Sequence, residues 1–205
     1  MIGIINYGVG NLASVKNAFE HLGHDTTLCS EPQQTLACDR LILPGVGSFR
    51  AGMTALHRGG WVKAIRSYAE SGRPFMGICL GMQLLFDRGE EHGPSEGLGL
   101  LSGEVVKLCP SSPLKVPHVG WNSLIELAPH PLMVGVKPLV DVYFVHSYHC
   151  VPSVMEDAIA KCNFGGEFVA AAARANVVGV QFHPEKSQPM GVRILENFAD
   201  WDGKC

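Results

Sequence analysis

The chain reads as a single α/β domain on a mixed, mostly parallel central sheet flanked by helices, with a β-rich C-terminal half. In the first eighty residues, short aliphatic runs alternate with amphipathic segments of helical period, as in parallel strands joined by crossover helices. Beyond Gly103, strand-like runs follow one another with few helices between them, which implies hairpins and antiparallel pairing. Nothing between the halves has the composition of a linker, so residues 1–205 are taken as one domain.

The elements follow in order. Ile2-Gly3-Ile4-Ile5 is apolar on both faces, as a buried parallel strand requires. Residues 14–22 place Val15, Ala18, Phe19 and Leu22 on one helical face. Residues 26–28 and 40–43 are the next strands, 49–56 and 61–70 helices, and 74–78 a strand. In the second half, strands are expected at 104–108, 123–127, 140–145, 158–162, 169–174 and 177–182. A last helix at 191–201 turns Val192, Leu195, Phe198 and Ala199 inward. Ligands of such sheets bind beyond the carboxyl ends of the strands, where Gly45 and Cys79 both fall.

At 205 residues and 46% hydrophobic content, the chain can bury a substantial core. A net charge of −3 leaves no footprint for nucleic acid or an anionic membrane. Seven cysteines form no Cys-x-x-Cys pair and no zinc-like spacing. Their odd number and irregular positions imply reduced thiols, hence a cytoplasmic protein. Met1-Ile2-Gly3 enters a strand at once, leaving no room for a signal or transit peptide. No apolar run approaches a membrane span, and no metal or cofactor is expected.

Chemistry concentrates at Gly77-Ile78-Cys79-Leu80-Gly81, between a short strand and Met82-Gln83-Leu84-Leu85-Phe86. Strand, Gly-x-Cys-x-Gly turn and helix form the layout of a nucleophile elbow with sulfur as nucleophile. Glycines there supply conformations that a Cβ obstructs, and a helix N-terminus favours the thiolate. A cysteine nucleophile needs a base held by a third group. His183 and Glu185, in Gln181-Phe182-His183-Pro184-Glu185-Lys186 after an apolar strand, project to one side of an extended chain and fit those roles. Acyl transfer also needs N–H donors for the oxyanion. The Leu80 amide supplies one, and the Gly45-Val46-Gly47 turn, through Val46, a second. Gly8-Val9-Gly10-Asn11-Leu12-Ala13 satisfies only the loose dinucleotide fingerprint and reads as a glycine turn packing helix on sheet.

Elbow, turn and His-Pro-Glu in this order resemble the triad-type (class I) glutamine amidotransferases, and within them the glutaminase subunits of imidazole glycerol phosphate synthase. The likeness rests on residues 4–12, 43–49, 77–85, 117–122, 143–148 and 179–187, segments spread along nearly the whole chain. Pro44-Gly45-Val46-Gly47 and Pro117-His118-Val119-Gly120-Trp121-Asn122 mark the subfamily. One departure is Asn6, where the family more often has aspartate; it lies outside the triad.

The resemblance implies that Cys79 attacks the side-chain amide of glutamine, His183 shuttles the proton to ammonia, and Glu185 orients His183. It further implies glutamine binding by Gly45, Gln83, Glu91, Ser147 and Tyr148. It also implies a heterodimer with a (β/α)8-barrel cyclase subunit, docked through Asn11, Trp121, Asn122, Tyr143 and Lys186. The peptide before Val46, set among glycines, is expected to flip and present its N–H when the partner carries its substrate, which would make activity conditional. Three other readings stay open on sequence: a glutaminase for a sugar-amination synthase, a non-catalytic regulatory subunit, and a cysteine hydrolase of related fold.

Overall fold

The computed structural model describes residues 1–111 and 113–204, so Cys205 lies outside the described residues. The first half is a run of β1 (Ile2–Ile5), α1 (Leu12–His21), β2 (Thr26–Cys29), β3 (Arg40–Gly45), α2 (Phe49–Arg58), α3 (Trp61–Glu70), β4 (Phe75–Cys79) and α4 (Leu80–Leu84). The second half holds β5 (Phe86–Gly89), β6 (Ser95–Glu96), β7 (Leu101–Lys107), β8 (His118–Leu127), β9 (Val140–His146), β10 (Tyr148–Pro152), β11 (Ala158–Asn163), β12 (Glu167–Arg174) and β13 (Val177–Val180), and closes with α5 (Gln188–Asp200). One sheet runs β2-β1-β3-β4-β13-β12-β10-β7-β5-β6, and β11, β8 and β9 branch from β12. The β2-β1-β3-β4-β13 block is parallel; pairing turns antiparallel at β13–β12 and returns to parallel only at β5–β7.

Two-residue periodicity divides the core into two layers. Ile4, Ile42, Met76, Ile78, Val178 and Val180 face α1 and α5, where Val15, Phe19, Leu195 and Phe198 complete one cluster. Ile5, Leu41, Leu43, Phe75 and Val177 face α2, α3 and α4, with Met53, Leu56, Trp61, Ile65, Leu80 and Leu84 in the other. Both faces of the parallel block are therefore covered, and its strands are apolar throughout for that reason. The β8–β9–β11 branch adds Leu124, Val142, Phe144 and Cys162 to the first layer.

Several expectations shift. The last helix begins at Gln188, and its buried face is Gly191, Ile194, Leu195, Phe198 and Ala199. Val192 is exposed, because it falls off that i, i+3, i+4, i+7 stripe. Strands β5, β6 and β10 were not expected: β6 is two residues long and β5 and β10 carry polar residues that blur the alternation. Strand β8 begins at His118 rather than Ser123, which places Trp121 and Asn122 within it. Gly8 and Gly10 both have positive φ in the β1–α1 turn, and a Cβ on Gly10 would lie 3.4 Å from the Pro44 carbonyl. Asn6 closes this turn by accepting the Gly8 N–H at 3.3 Å. No helix among the described residues is long and apolar enough to cross a membrane.

Candidate active site

Cys79 ends β4 and precedes the first residue of α4 with φ +54° and ψ −112°. A non-glycine residue there stores about 1–3 kcal/mol, which the surrounding packing must impose. The strain thus sits on the cysteine, not on its flanking glycines. Those glycines serve close approach: a Cβ on Gly77 would lie 2.6 Å from Gly81 carbonyl carbon, and one on Gly81 only 1.8 Å from Leu43 oxygen. Since α4 has five residues, its dipole is a minor influence on the sulfur. Leu80 opens this helix, so its N–H has no i−4 acceptor and is free of the helical ladder.

Register brings the remaining strand ends together. Gly45 pairs with Cys79, and Val180 with Ile78, so the segment after β13 emerges beside the thiol. There His183 is pinned to β9: its N–H donates to Tyr143 oxygen at 2.9 Å, and its carbonyl accepts from Ser187 Oγ at 2.6 Å. His183 Nδ1 lies 2.9 Å from Glu185 Oε1, with side-chain exposures of 4% and 1%. The backbone here is a 3-10 turn over Pro184–Lys186 instead of an extended chain, because proline at its first position suits a helical start. The pair still meets. With Nδ1 on the carboxylate, Nε2 is the buried nitrogen left for chemistry, and among the described residues only Cys79 acts on it. Burial disfavours the imidazolium, but Cys79 and Glu185 together more than offset this and raise the His183 pKa to about 9.

One cavity of about 270 Å³ is lined by Val46, Gly47, Cys79, Leu80, Gln83, Glu91, Pro117, Val145, His146, Ser147, Tyr148 and His183. Most of the expected site residues are therefore in one place. Gly45 sits just behind: a Cβ there would meet Tyr7 Oη at 2.7 Å and Leu80 Cβ at 3.0 Å. Gln83 spends both amide protons internally, on Tyr148 oxygen at 2.9 Å and Gln181 Oε1 at 3.0 Å, which leaves its oxygen for a ligand. Glu91 is no solvated turn residue, since its Oε2 accepts the Phe49 N–H at 2.8 Å at the start of α2. Desolvation first, and then the Glu91 and Glu90 carboxylates, hold the Tyr148 hydroxyl above its usual pKa.

The expected docking residues divide by strand alternation. Val119 and Trp121 on β8 pair with Val145 and Tyr143 on β9, and all but half-buried Tyr143 are exposed. Trp121 meets Tyr143 edge-on at 5.9 Å, and Lys186 Nζ lies 5.5 Å from the Tyr143 ring centre. Asn122 falls on the opposite face, with its amide donating to Asn163 oxygen at 2.9 Å and lying 3.2 Å from His118 Nε2. Asn11 precedes α1 without capping it through its side chain. Residues that the sequence does not single out are Tyr7, whose buried hydroxyl has no hydrogen-bond partner among the described residues, and Pro117, Val145, His146 and Gln181. Their residue types carry no signal of their own; only strand register brings them to the sulfur.

A strained cysteine on an elbow, an imidazole oriented by a carboxylate, and a cavity over both that holds a few placed polar groups are equipped for acyl transfer. The family model for class-I glutamine amidotransferases matches residues 3–201, and the chain belongs to that family. It is 47% identical to the curated protein "Imidazole glycerol phosphate synthase subunit HisH" of Desulfitobacterium hafniense (strain DSM 10664 / DCB-2), over 98% of this chain and 94% of that one. Proteins of the same name from Geobacillus kaustophilus and Methanosarcina barkeri are 48% and 46% identical, each over 97% of this chain and 95% and 98% of their own. Among solved structures, PurLQS from Thermotoga maritima superposes with a TM-score of 0.76 at 20% identity, covering 97% of both chains. A structure described as a glutamine amidotransferase gives 0.74 at 17%, covering 97% of this chain and 98% of that one. These structural likenesses concern the fold.

Proposed function

We propose that this chain is the glutaminase subunit of imidazole glycerol phosphate synthase and works in histidine biosynthesis. It supplies ammonia to a (β/α)8-barrel subunit that makes imidazole glycerol phosphate and aminoimidazole carboxamide ribotide. The observation that carries the reading is the single cavity holding Cys79, His183, Leu80, Val46, Gln83 and Glu91, in a chain so similar along its length to HisH subunits. In this reading the Cys79 sulfur attacks the amide carbon of glutamine, and the oxyanion forms against the N–H groups of Leu80 and Val46. His183 Nε2 gives its proton to the departing ammonia, leaving a thioester. Neutral His183 then takes a proton from water as the water attacks, the carbon–sulfur bond breaks to release glutamate, and His183 returns that proton to the leaving thiolate. Glu91 meets the substrate ammonium, the Gln83 oxygen its side-chain amide, and the Ser147–Tyr148 segment and Gly45 turn close the cavity. Flipping of the Val46 peptide on docking completes the oxyanion site and makes glutaminase activity conditional. The Val119–Trp121–Tyr143–Val145 face with Lys186, together with Asn11, receives the barrel, while Asn122 braces it from the inner side.

The test is labelling by a glutamine-like diazo-oxo-norleucine in the presence of the candidate barrel subunit. An adduct on Cys79, together with glutamine-dependent turnover of the ribulosyl intermediate, is expected. No adduct with partner present would sink the glutaminase reading, and an adduct without turnover would point to a different synthase.

The raised His183 pKa has a kinetic consequence. The acid that protonates ammonia is present below about 9 and is lost above it, so kcat/KM should fall on the alkaline side with a limb near pH 9. Glu185→Gln removes one of the groups holding the imidazolium, and the limb should move to lower pH. A pH–rate profile of the complex checks both, and an unmoved limb in Glu185→Gln would contradict the assignment of Glu185.

A further inference from the structure

We propose that Gln181 is a nucleophile-positioning residue, whose side-chain amide donates to the Cys79 sulfur and stabilises its thiolate. The inference rests on the reading of Cys79 as nucleophile and adds a residue to it. Gln181 is fully buried one residue past β13, with its own N–H anchored on Ala170 oxygen at 2.8 Å. Its Nε2 lies 3.8 Å from Cys79 Sγ, within reach of an N–H···S bond that tightens when sulfur is charged.

The orientation of that amide follows from a backbone group, which removes the usual ambiguity of oxygen and nitrogen. Tyr148 oxygen can only accept, so Gln83 must present its NH2 to it, at 2.9 Å. The same Gln83 nitrogen then faces Gln181 at 3.0 Å and requires an oxygen there. Gln181 is left with its NH2 toward the sulfur. Tyr148 oxygen is itself held from a second side by His146 Nδ1 at 2.9 Å. His146 Nε2 contacts His118 Nδ1 at 3.0 Å, and His118 Nε2 contacts the Asn122 amide at 3.2 Å. Burial lowers His118 to about 4 and His146 to about 3, so both rings are neutral and one direction of donation runs from Asn122 to Tyr148 oxygen. The amide facing the nucleophile is thus set by a satisfied network that begins behind the docking face.

Besides Gln181, the groups acting on the sulfur are His183 from the segment after β13, Tyr7 from the β1–α1 turn and Cys150 from β10. Val145 oxygen, at 3.9 Å, accepts only from the protonated thiol. A neutral N–H donor favours the anion over the thiol, so its removal should slow reaction of the sulfur with an electrophile.

The experiment is alkylation of Cys79 by iodoacetamide across pH, followed by peptide mass spectrometry, in the full chain and in Gln181→Met. This variant keeps length and burial but has no donor. Where the thiol is mostly protonated, alkylation of the variant should be about tenfold slower, and in the complex kcat should fall with KM little changed. A pH profile superimposable on that of the unaltered chain would overturn the proposal. Should Gln181→Met fail to fold, the side-chain amide resonance of Gln181 in the 15N-labelled unaltered chain serves instead. It should move as Cys79 ionises and stay fixed in Cys79→Ala; an amide indifferent to that ionisation overturns the proposal. Neither the alkylation profile nor the amide resonance involves glutamine or the barrel, so failure of these is distinct from failure of the glutaminase assignment.

Discussion

Cys79→Ala is expected to abolish glutamine-dependent synthesis by the complex while leaving synthesis from added ammonium intact. Cys79 is 6% exposed and, among the described residues, is the one thiol that lines the cavity. Alanine removes that sulfur but keeps the Cβ, so the elbow need not rearrange. Loss of one member of such a unit costs about as much as loss of all, roughly 10⁴-fold or more in kcat. On the proposed reading the partner subunit needs only ammonia, so an ammonium salt should restore product formation. Glutamine-dependent turnover that persists in Cys79→Ala would refute the nucleophile, and loss of the ammonium reaction would mean the substitution had disturbed docking.

Gly81→Ala is expected to destabilise the chain more than any surface change. The added Cβ would lie 1.8 Å from Leu43 oxygen and 2.9 Å from Leu43 carbon, both backbone atoms of β3 at the centre of the parallel block. No flexible side-chain end can give way, so α4 must lift off the sheet and take Leu80 and Cys79 with it. Overpacking of this severity costs at least about 3 kcal/mol. For a chain of this size that lowers the melting temperature by roughly 10 °C. Thermal unfolding followed by circular dichroism measures it, alongside iodoacetamide reactivity of Cys79. A melting temperature within a degree or two of the unaltered chain would show that the close approach of α4 to β3 is not needed.

Much of this molecule is legible in its sequence because its parallel block is simple. Ile2–Ile5, Arg40–Gly45 and Phe75–Cys79 are buried on both faces, so hydrophobicity alone marks them. The branched second half is harder to read. Strands such as Phe86–Gly89 and Tyr148–Pro152 mix buried and exposed residues and are too short for a period to stand out. Cys79, His183 and Glu185 stand out in the sequence because Gly-x-Cys-x-Gly and His-Pro-Glu are local patterns with a chemical reason. Glycine at 81 is legible, but its purpose is not. It was expected to relax the turn; it instead leaves room for a carbonyl from another strand, while the positive φ falls on Cys79.

What the sequence alone determines is the set of parts: a thiol on an elbow, an imidazole with its carboxylate, and a glycine turn. Each is specified by residues a few positions apart, and local spacing is what a linear chain can express. What the tertiary structure decides is which side chains without a motif meet those parts. Gln181 reaches the sulfur because β13 lies beside β4 in register, and Trp121 faces solvent while Asn122 faces inward because β8 alternates from His118. Both outcomes depend on pairing between strands up to 102 residues apart, and a one-residue slip in either would reverse them.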